Sequence, residues 1–275
     1  MIICKSPLRV SFLGGGTDFP KWYKKNNGMV ISTAINKYCY VLLKTLPPFH
    51  DFKFRLRYFN EERVNKVSQI RHPVIRNIFK KKINGNKGFE LVYFGDVPAL
   101  SGLGSSSAFT VSLLNLFREY NKNKMSKYDL AKEAIYFEQK ILKENVGSQD
   151  QIASAFGGFN SIEFNNQSFR VRKIIAPKNQ ILDLEKSLLL VNTGISRFSK
   201  IIEKKKIDSI KKNHLDYLEL YSLCKEAKKN ISISKNIKKN LSFYINESWK
   251  IKKKLAKGVS NNFLDKLCDY GLNNG

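Results

Sequence analysis

A chain of 275 residues with 42% hydrophobic and 12% aromatic content can bury a sizeable core, which excludes a disordered protein. No run of about 18 apolar residues is present to span a membrane, and the opening MIICKSPLRV lacks an apolar stretch of secretory length, so a cytoplasmic location is expected. The net charge of +26 would suit an anionic partner. However, Lys, Asn and Ile are enriched together throughout, and the lysines fall between apolar helical positions, so solvated faces that steer anionic substrates are expected rather than a nucleic-acid surface.

Leu8 to Leu13 reads as a strand ending in Gly14-Gly15-Gly16, and the β-branched, aromatic run from Met29 to Leu43 as further strand. Leu91 to Phe94 is another short strand, followed by a polar loop and a helix over about Ala108 to Tyr120. Ser126 opens a long helix, with Asp129 three residues later as its capping-box partner. Gly157-Gly158 then breaks the chain before a strand over Phe159 to Phe164. Beyond a composition shift, Leu188 to Val191 is predicted as one more apolar strand, and Lys-rich helical sequence runs on to Leu272. The expected division is a domain over 1–170 and a second over 171–275. Cys4, Cys39, Cys224 and Cys268 form no CxxC pair, and His50, His72 and His214 are equally scattered, which argues against a zinc site or a disulfide framework.

The strongest chemical signal is Pro98-Ala99-Leu100-Ser101-Gly102-Leu103-Gly104-Ser105-Ser106-Ser107-Ala108, between a strand and a helix. Glycines let the backbone turn tightly and approach a ligand. The serines fall at the first helical turn, where unpaired N–H groups and the positive dipole end favour an anion. No Gly-Lys-Ser/Thr follows, so it is not a Walker A loop. On this segment alone, a phosphate cradle and an ordinary serine-capped helix start are equally good readings.

Two further segments carry polar chemistry. The helix after Ser126 has apolar residues at Leu130, Ala131, Ala134, Ile135, Ile141 and Leu142, and Glu138 falls on that stripe. A carboxylate on a buried face is costly unless a cation or metal pairs with it; a lysine partner or a place at the stripe's edge is the alternative. Near the N-terminus, Arg9 leaves a strand and Asp18 lies just past the glycines, a donor and an acceptor suited to sugar hydroxyls, or else a Gly-rich hairpin turn closed by Asp.

The segment P-x3-G-L-G-S-S-x-A resembles the second motif of the GHMP (galactokinase, homoserine kinase, mevalonate kinase, phosphomevalonate kinase) superfamily, which wraps the ATP phosphates. The resemblance implies ATP and Mg2+ as cofactors, with Gly102, Leu103, Gly104, Ser105, Ser106 and Ser107 as the phosphate cradle and Ser106 on magnesium. Arg9 through Asp18 (RVSFLGGGTD) resembles the first motif in its sugar-kinase version, which makes Arg9, Gly15, Gly16, Thr17 and Asp18 the expected substrate-binding residues. Galactokinases carry Glu-His where this chain has Gly15-Gly16, and the Gly-Gly-Gly-Thr-Asp form looks like kinases acting on D-glycero-D-manno-heptose 7-phosphate. In that superfamily a Glu ahead of an Asp-Gln pair helps bind magnesium, which makes Glu138 a metal ligand and Asp150 the catalytic carboxylate, with Arg9 close enough to keep it ionised.

Leu188 to Lys200 (LLLVNTGISRFSK) and Trp249 to Asn261 (WKIKKKLAKGVSN) resemble the same subfamily. The implied fold is an α+β, two-domain GHMP-kinase-type sandwich with ATP and sugar bound between the halves. Superfamily members continue into a third glycine-rich motif where this chain reaches Asn273-Asn274-Gly275, so the second domain is expected to lack its last strands. The expected activity is phosphorylation of the anomeric hydroxyl of a sugar phosphate, with heptose 7-phosphate favoured. A fucose- or galactose-type kinase, an inactive remnant and a basic nucleic-acid binder are the alternatives.

Overall fold

A computed structural model describes residues 1–83, 85–98, 101–194, 199–234 and 236–274. The fold is α+β, as the mixture of strand and helix signals predicts. It has two compact units, one of Met1–Val10 with Thr33–Gly158 and the other of Ser11–Ser32 with Phe159–Gly275. In chain order the elements are β1 (Ile2–Leu13), α1 (Pro20–Asn26), β2 (Gly28–Leu46), β3 (Phe54–Arg57), β4 (Glu61–Val64), α2 (Pro73–Lys82), β5 (Gly88–Gly95), α3 (Ser105–Tyr120), α4 (Lys127–Tyr136) and α5 (Gln149–Phe156). They continue with β6 (Phe159–Phe164), β7 (Phe169–Lys173), α6 (Lys178–Ser187), α7 (Ser199–Ser209), α8 (His214–Ile233), α9 (Ile237–Leu255) and α10 (Asn262–Asn273).

In the first unit β1 and β5 both pair with β2, β5 runs antiparallel to β2 and parallel to β3, and β4 closes antiparallel on β3. Leu43 on β2 and Leu56 on β3 both stand opposite Leu91, and all three are buried, as the period of two in a strand requires. Helix α3 carries ten buried residues between Ser107 and Phe117, so it is sunk in the unit and not draped over it. Phe79, Phe89, Phe117 and Tyr120 meet edge to face with ring centroids 5.3–6.2 Å apart, a geometry that adds to their area burial.

In the second unit Phe19 and Trp22 pack with Tyr217 and Leu220 of α8 and with Ile251 and Leu255 of α9. Ser209 and Asn213 donate from their side chains to the Leu255 carbonyl at 2.7 and 2.8 Å, satisfying one of the orphan acceptors at the end of α9. Strands β6 and β7 form an antiparallel hairpin, with Ile162 opposite Val171.

Two expectations need correction or restriction. Leu188 to Val191 is not a strand: the run is irregular, and Leu189, Leu190 and Val191 are 86%, 58% and 54% exposed. Four apolar residues carry too little periodicity to specify a strand, and an extended segment needs a neighbour to pair with. The family-like segment that follows, through Lys200, includes 195–198, which lie outside the described residues. Among the described residues, no helix is long and apolar enough to cross a membrane.

Candidate active site

The phosphate-loop segment enters α3 through Gly104, whose φ of +77° places the N-cap in the left-handed region. The helix begins at Ser105, three residues before the predicted start, so Ser105, Ser106 and Ser107 form its first turn. The loop is tied to β1: Arg9 N donates to the Leu103 carbonyl at 3.1 Å and Arg9 Nη1 to the Gly102 carbonyl at 2.8 Å. Ser106 is exposed, whereas Ser107 beside it is buried.

The remaining guanidinium nitrogens of Arg9 fork onto Asp150 in the first turn of α5, with Nε to Oδ1 at 2.9 Å and Nη2 to Oδ2 at 2.8 Å. Planar bidentate pairs of this kind are among the stronger ion pairs, because both donors meet both acceptors in one plane. A Cβ on Gly104 would lie 3.3 Å from Asp150 Oδ2 and 3.4 Å from Arg9 Cγ. Glycine thus lets the loop close directly over the pair. Arg9, Gly102 to Ser107 and Asp150 are brought together although 141 residues separate the two charged partners.

Glu138 lies in a short π-helical turn, Phe137–Ile141, that continues α4; the Leu142 amide donates to the Phe137 carbonyl at 2.9 Å. Such turns frequently mark functional sites. Its side chain is 1% exposed, as the stripe predicts. Among the described residues no lysine forms an ion pair with it. Ser107 Oγ donates to Oε2 at 2.9 Å and Gln151 Nε2 to the same oxygen. Burial pushes the carboxyl up to about 7 against the pull of hydrogen bonds from Gln151, Thr110 and Ser107. Oε1 is buried with no hydrogen-bond partner among the described residues. A carboxyl oxygen left open beside a helix start suits a hard cation, which would displace its proton, and the hydroxyl of Ser106 is one residue from the serine that already reaches Glu138. Among the described residues no cluster of three or more acidic, imidazole or thiol groups could hold a metal without help. A magnesium ion here would therefore take most of its oxygens from nucleotide and water, as Mg2+ commonly does.

Gly15, Gly16, Thr17 and Asp18 lie in the second unit, at the end of β1. Asp18, 2% exposed, accepts from the Gly16 amide at 2.8 Å, which shapes the glycine turn. Thr17 is fully buried; its hydroxyl lies 2.8 Å from the Gly14 carbonyl and 2.9 Å from that of Met29, and accepts from the Met29 amide at 3.1 Å. Gly16, at φ +110°, has the Tyr217 ring 3.3 Å from where a Cβ would sit. Lys206 belongs to the same surroundings: burial lowers its pKa, countered by Glu203 and Asp18.

Sequence reasoning missed one part of the site. Beside the α3 start is a cavity of about 170 Å³ lined by Tyr58, His72, Tyr93, Ser105, Ser106 and Phe109, among others. A wider neighbouring cavity of about 410 Å³ shares Tyr58 and Tyr93 and extends to Asp96 and Pro98. The available signal was Tyr58-Phe59 in a short polar turn, where Phe59 is 68% exposed, a place an aromatic ring takes at some cost.

Residues 67–158 match the family "GHMP kinases N terminal domain". The chain is 28% identical to D-glycero-alpha-D-manno-heptose 7-phosphate kinase of Campylobacter jejuni over 98% of its length and 83% of that relative. It is 29% identical to a galactokinase of Pyrococcus furiosus over 75% of its length and 58% of that protein. The structure of a D-glycero-D-manno-heptose 1-phosphate kinase from Bacteroides thetaiotaomicron superposes with a TM-score of 0.75, covering 94% of this chain and 81% of that one at 24% identity. The matched domain spans the loop, the π turn and Asp150, and the fold agrees with that structure along most of the chain, so residues 67–158 carry a GHMP kinase N-terminal domain.

Proposed function

We propose that this chain is an ATP-dependent sugar kinase that phosphorylates the anomeric hydroxyl of a sugar phosphate, with D-glycero-D-manno-heptose 7-phosphate as the acceptor. The observation that carries the reading is the Arg9–Asp150 pair held against the Gly102–Gly104 loop at the start of α3, a carboxylate and a cation beside a turn suited to phosphate. The likeness to the Campylobacter jejuni heptose 7-phosphate kinase supports the acceptor.

Phosphoryl transfer asks little covalent work of a protein, so positioning and charge neutralisation dominate. The free amides of the first α3 turn, with Ser105 and Ser106, receive the nucleotide phosphates at the positive helix end. The adjoining aromatic cavity takes the base. Asp150 orients the acceptor hydroxyl and takes its proton, while Arg9 fixes the carboxylate in one rotamer and adds positive charge where the transferred group passes. Asp18 accepts from adjacent sugar hydroxyls, so an analogue lacking them forfeits hydrogen bonds to a buried carboxylate. Ser106 and Glu138 would hold Mg2+, which when bound neutralises charge on the phosphates.

The test is ADP release from Mg-ATP with heptose 7-phosphate, run beside Asp150→Asn. The variant should lose about 10²- to 10⁴-fold in turnover and still bind ATP; normal turnover would remove Asp150 from the chemistry. A second reading, an unphosphorylated acceptor, is carried by the 29% identity to a galactokinase. Competition between phosphorylated and unphosphorylated sugars separates the two, and the first reading expects only phosphorylated sugars to compete.

A further inference from the structure

The two cavities beside the start of α3 share Tyr58, Phe59 and Tyr93, and most of their walls are aromatic rings. Stacking on such walls holds any flat base, because every base presents a π face. A choice between bases has to come from polar groups that reach the base edge. Most of the polar side chains here are committed elsewhere. Tyr58 Oη donates to Glu62 Oε1 at 2.6 Å, and Asp96 Oδ2 accepts from the Tyr38 amide at 2.8 Å. Ser105 and Ser106 belong to the phosphate end, in the first turn of α3.

The hydroxyl of Tyr93 is uncommitted. Its ring stands edge to face against Phe109 at 5.3 Å and Phe59 at 5.9 Å, in the wall that both cavities share. The hydroxyl has no hydrogen-bond partner among the described residues, and its oxygen keeps accessible surface. Gly95 shows where that oxygen lies, because Gly95 lines the wider cavity and is itself exposed. A Cβ on Gly95 would sit 3.1 Å from Tyr93 Oη and 3.5 Å from the Val97 carbonyl oxygen. Hydroxyl and carbonyl thus flank one point on the cavity wall that the missing side chain leaves unfilled.

Burial pushes the Tyr93 phenol up to about 12, so it keeps its proton at neutral pH. A protonated phenol both donates and accepts, and its O–H rotates to suit the partner, whereas the carbonyl only accepts. Adenine satisfies the pair with its amino group on the carbonyl and N1 on the hydroxyl. Guanine satisfies the same pair with N1–H on the carbonyl and O6 on the hydroxyl. We propose that Tyr93 Oη and the Val97 carbonyl read the base edge in a way that either purine meets, so that guanine nucleotides occupy this site as readily as adenine nucleotides. The inference rests on the placing of the base against these walls and widens the class of nucleotide that the site takes.

Calorimetric titration of the full chain with ADP and with GDP tests this without needing turnover. The two affinities should agree within about threefold. Tyr93→Phe keeps the ring and removes only the hydroxyl, and it should weaken both nucleotides by about 3- to 10-fold. Gly95→Ala, whose methyl group fills the point between hydroxyl and carbonyl, should also weaken both. A larger preference for either nucleotide in the unaltered chain overturns the proposal. So does a Tyr93→Phe chain that binds both as the unaltered chain does, or that loses affinity for one alone. Failure of the unaltered chain to bind either nucleotide overturns the nucleotide site together with this reading of it. If Tyr93→Phe does not fold, the ADP and GDP comparison on the unaltered chain and on Gly95→Ala still decides the matter.

Discussion

At the scale of single residues, Glu138 and Gly104 bear the clearest consequences. A carboxyl held up to about 7 by burial stays protonated in the folded chain over a range where the unfolded chain has already released its proton. The folded state therefore binds more protons between the ordinary glutamate value and about 7, and stability falls as pH rises through that window. Glu138→Gln removes the titration. In urea unfolding at pH 5 and pH 8, the unaltered chain should be less stable at the higher pH by up to about 3 kcal/mol from this group. The variant should show that much less pH dependence, and an unchanged slope would refute the burial of a Glu138 carboxyl without a cationic partner. Gly104→Ala places a methyl group 3.3 Å from Asp150 Oδ2 in a left-handed backbone, so about 1–2 kcal/mol of stability should be lost. Activity should fall by more than that loss explains, because the Arg9–Asp150 pair must shift; a fully active, equally stable variant would contradict the close approach. The sequence singled out Arg9 and Glu138 from their types and settings, and Asp150 through the resemblance to the superfamily's Asp-Gln pattern. It did not show that Gln151 and Ser107 satisfy one oxygen of Glu138 and leave the other open, because those partners lie 13 and 31 residues away.

At the scale of elements, local chemistry was the more legible. Ser126 and Asp129 cap α4 as their spacing predicts, with Ser126 Oγ accepting from the Asp129 amide at 3.1 Å and donating to its carboxylate at 2.6 Å. Ser126→Ala should cost about 1 kcal/mol in chemical denaturation and Ser126→Asn should restore most of it; a neutral alanine variant would mean the cap adds nothing. Strand β6 has the predicted bounds, Phe159–Phe164, because a double glycine sets its start and a hydrophobic, alternating stretch fills it. Strands β3 and β4 were not foreseen. They are four residues each and polar on one side, and their extended state depends on pairing with each other and with β5. The π turn at Phe137–Ile141 was equally hidden, since the same apolar stripe serves a regular helix.

At the scale of the whole molecule, the charge of +26 makes a prediction of its own. If the positive field draws in a phosphorylated sugar, kcat/KM for that sugar at saturating ATP should fall about 3-fold or more from low to high sodium chloride, while kcat stays level. An unphosphorylated sugar should show no such dependence, and a flat response for both would mean that the lysines act only as solvated surface. The sequence by itself determined the local features of the candidate site, because a glycine-rich turn, a serine-rich helix start and a capped helix are encoded by neighbours along the chain. Tertiary structure alone decided which of those groups meet. Arg9 reaches Asp150, and the cavity walls come from Tyr58, His72, Tyr93 and Phe109, on four different stretches of chain. Tertiary structure also left Leu188 to Val191 irregular and exposed, although its composition suits a strand. The physical reason is the same in each case: backbone preference acts over a few residues, while side-chain contacts and strand pairing are set by packing between segments far apart in sequence.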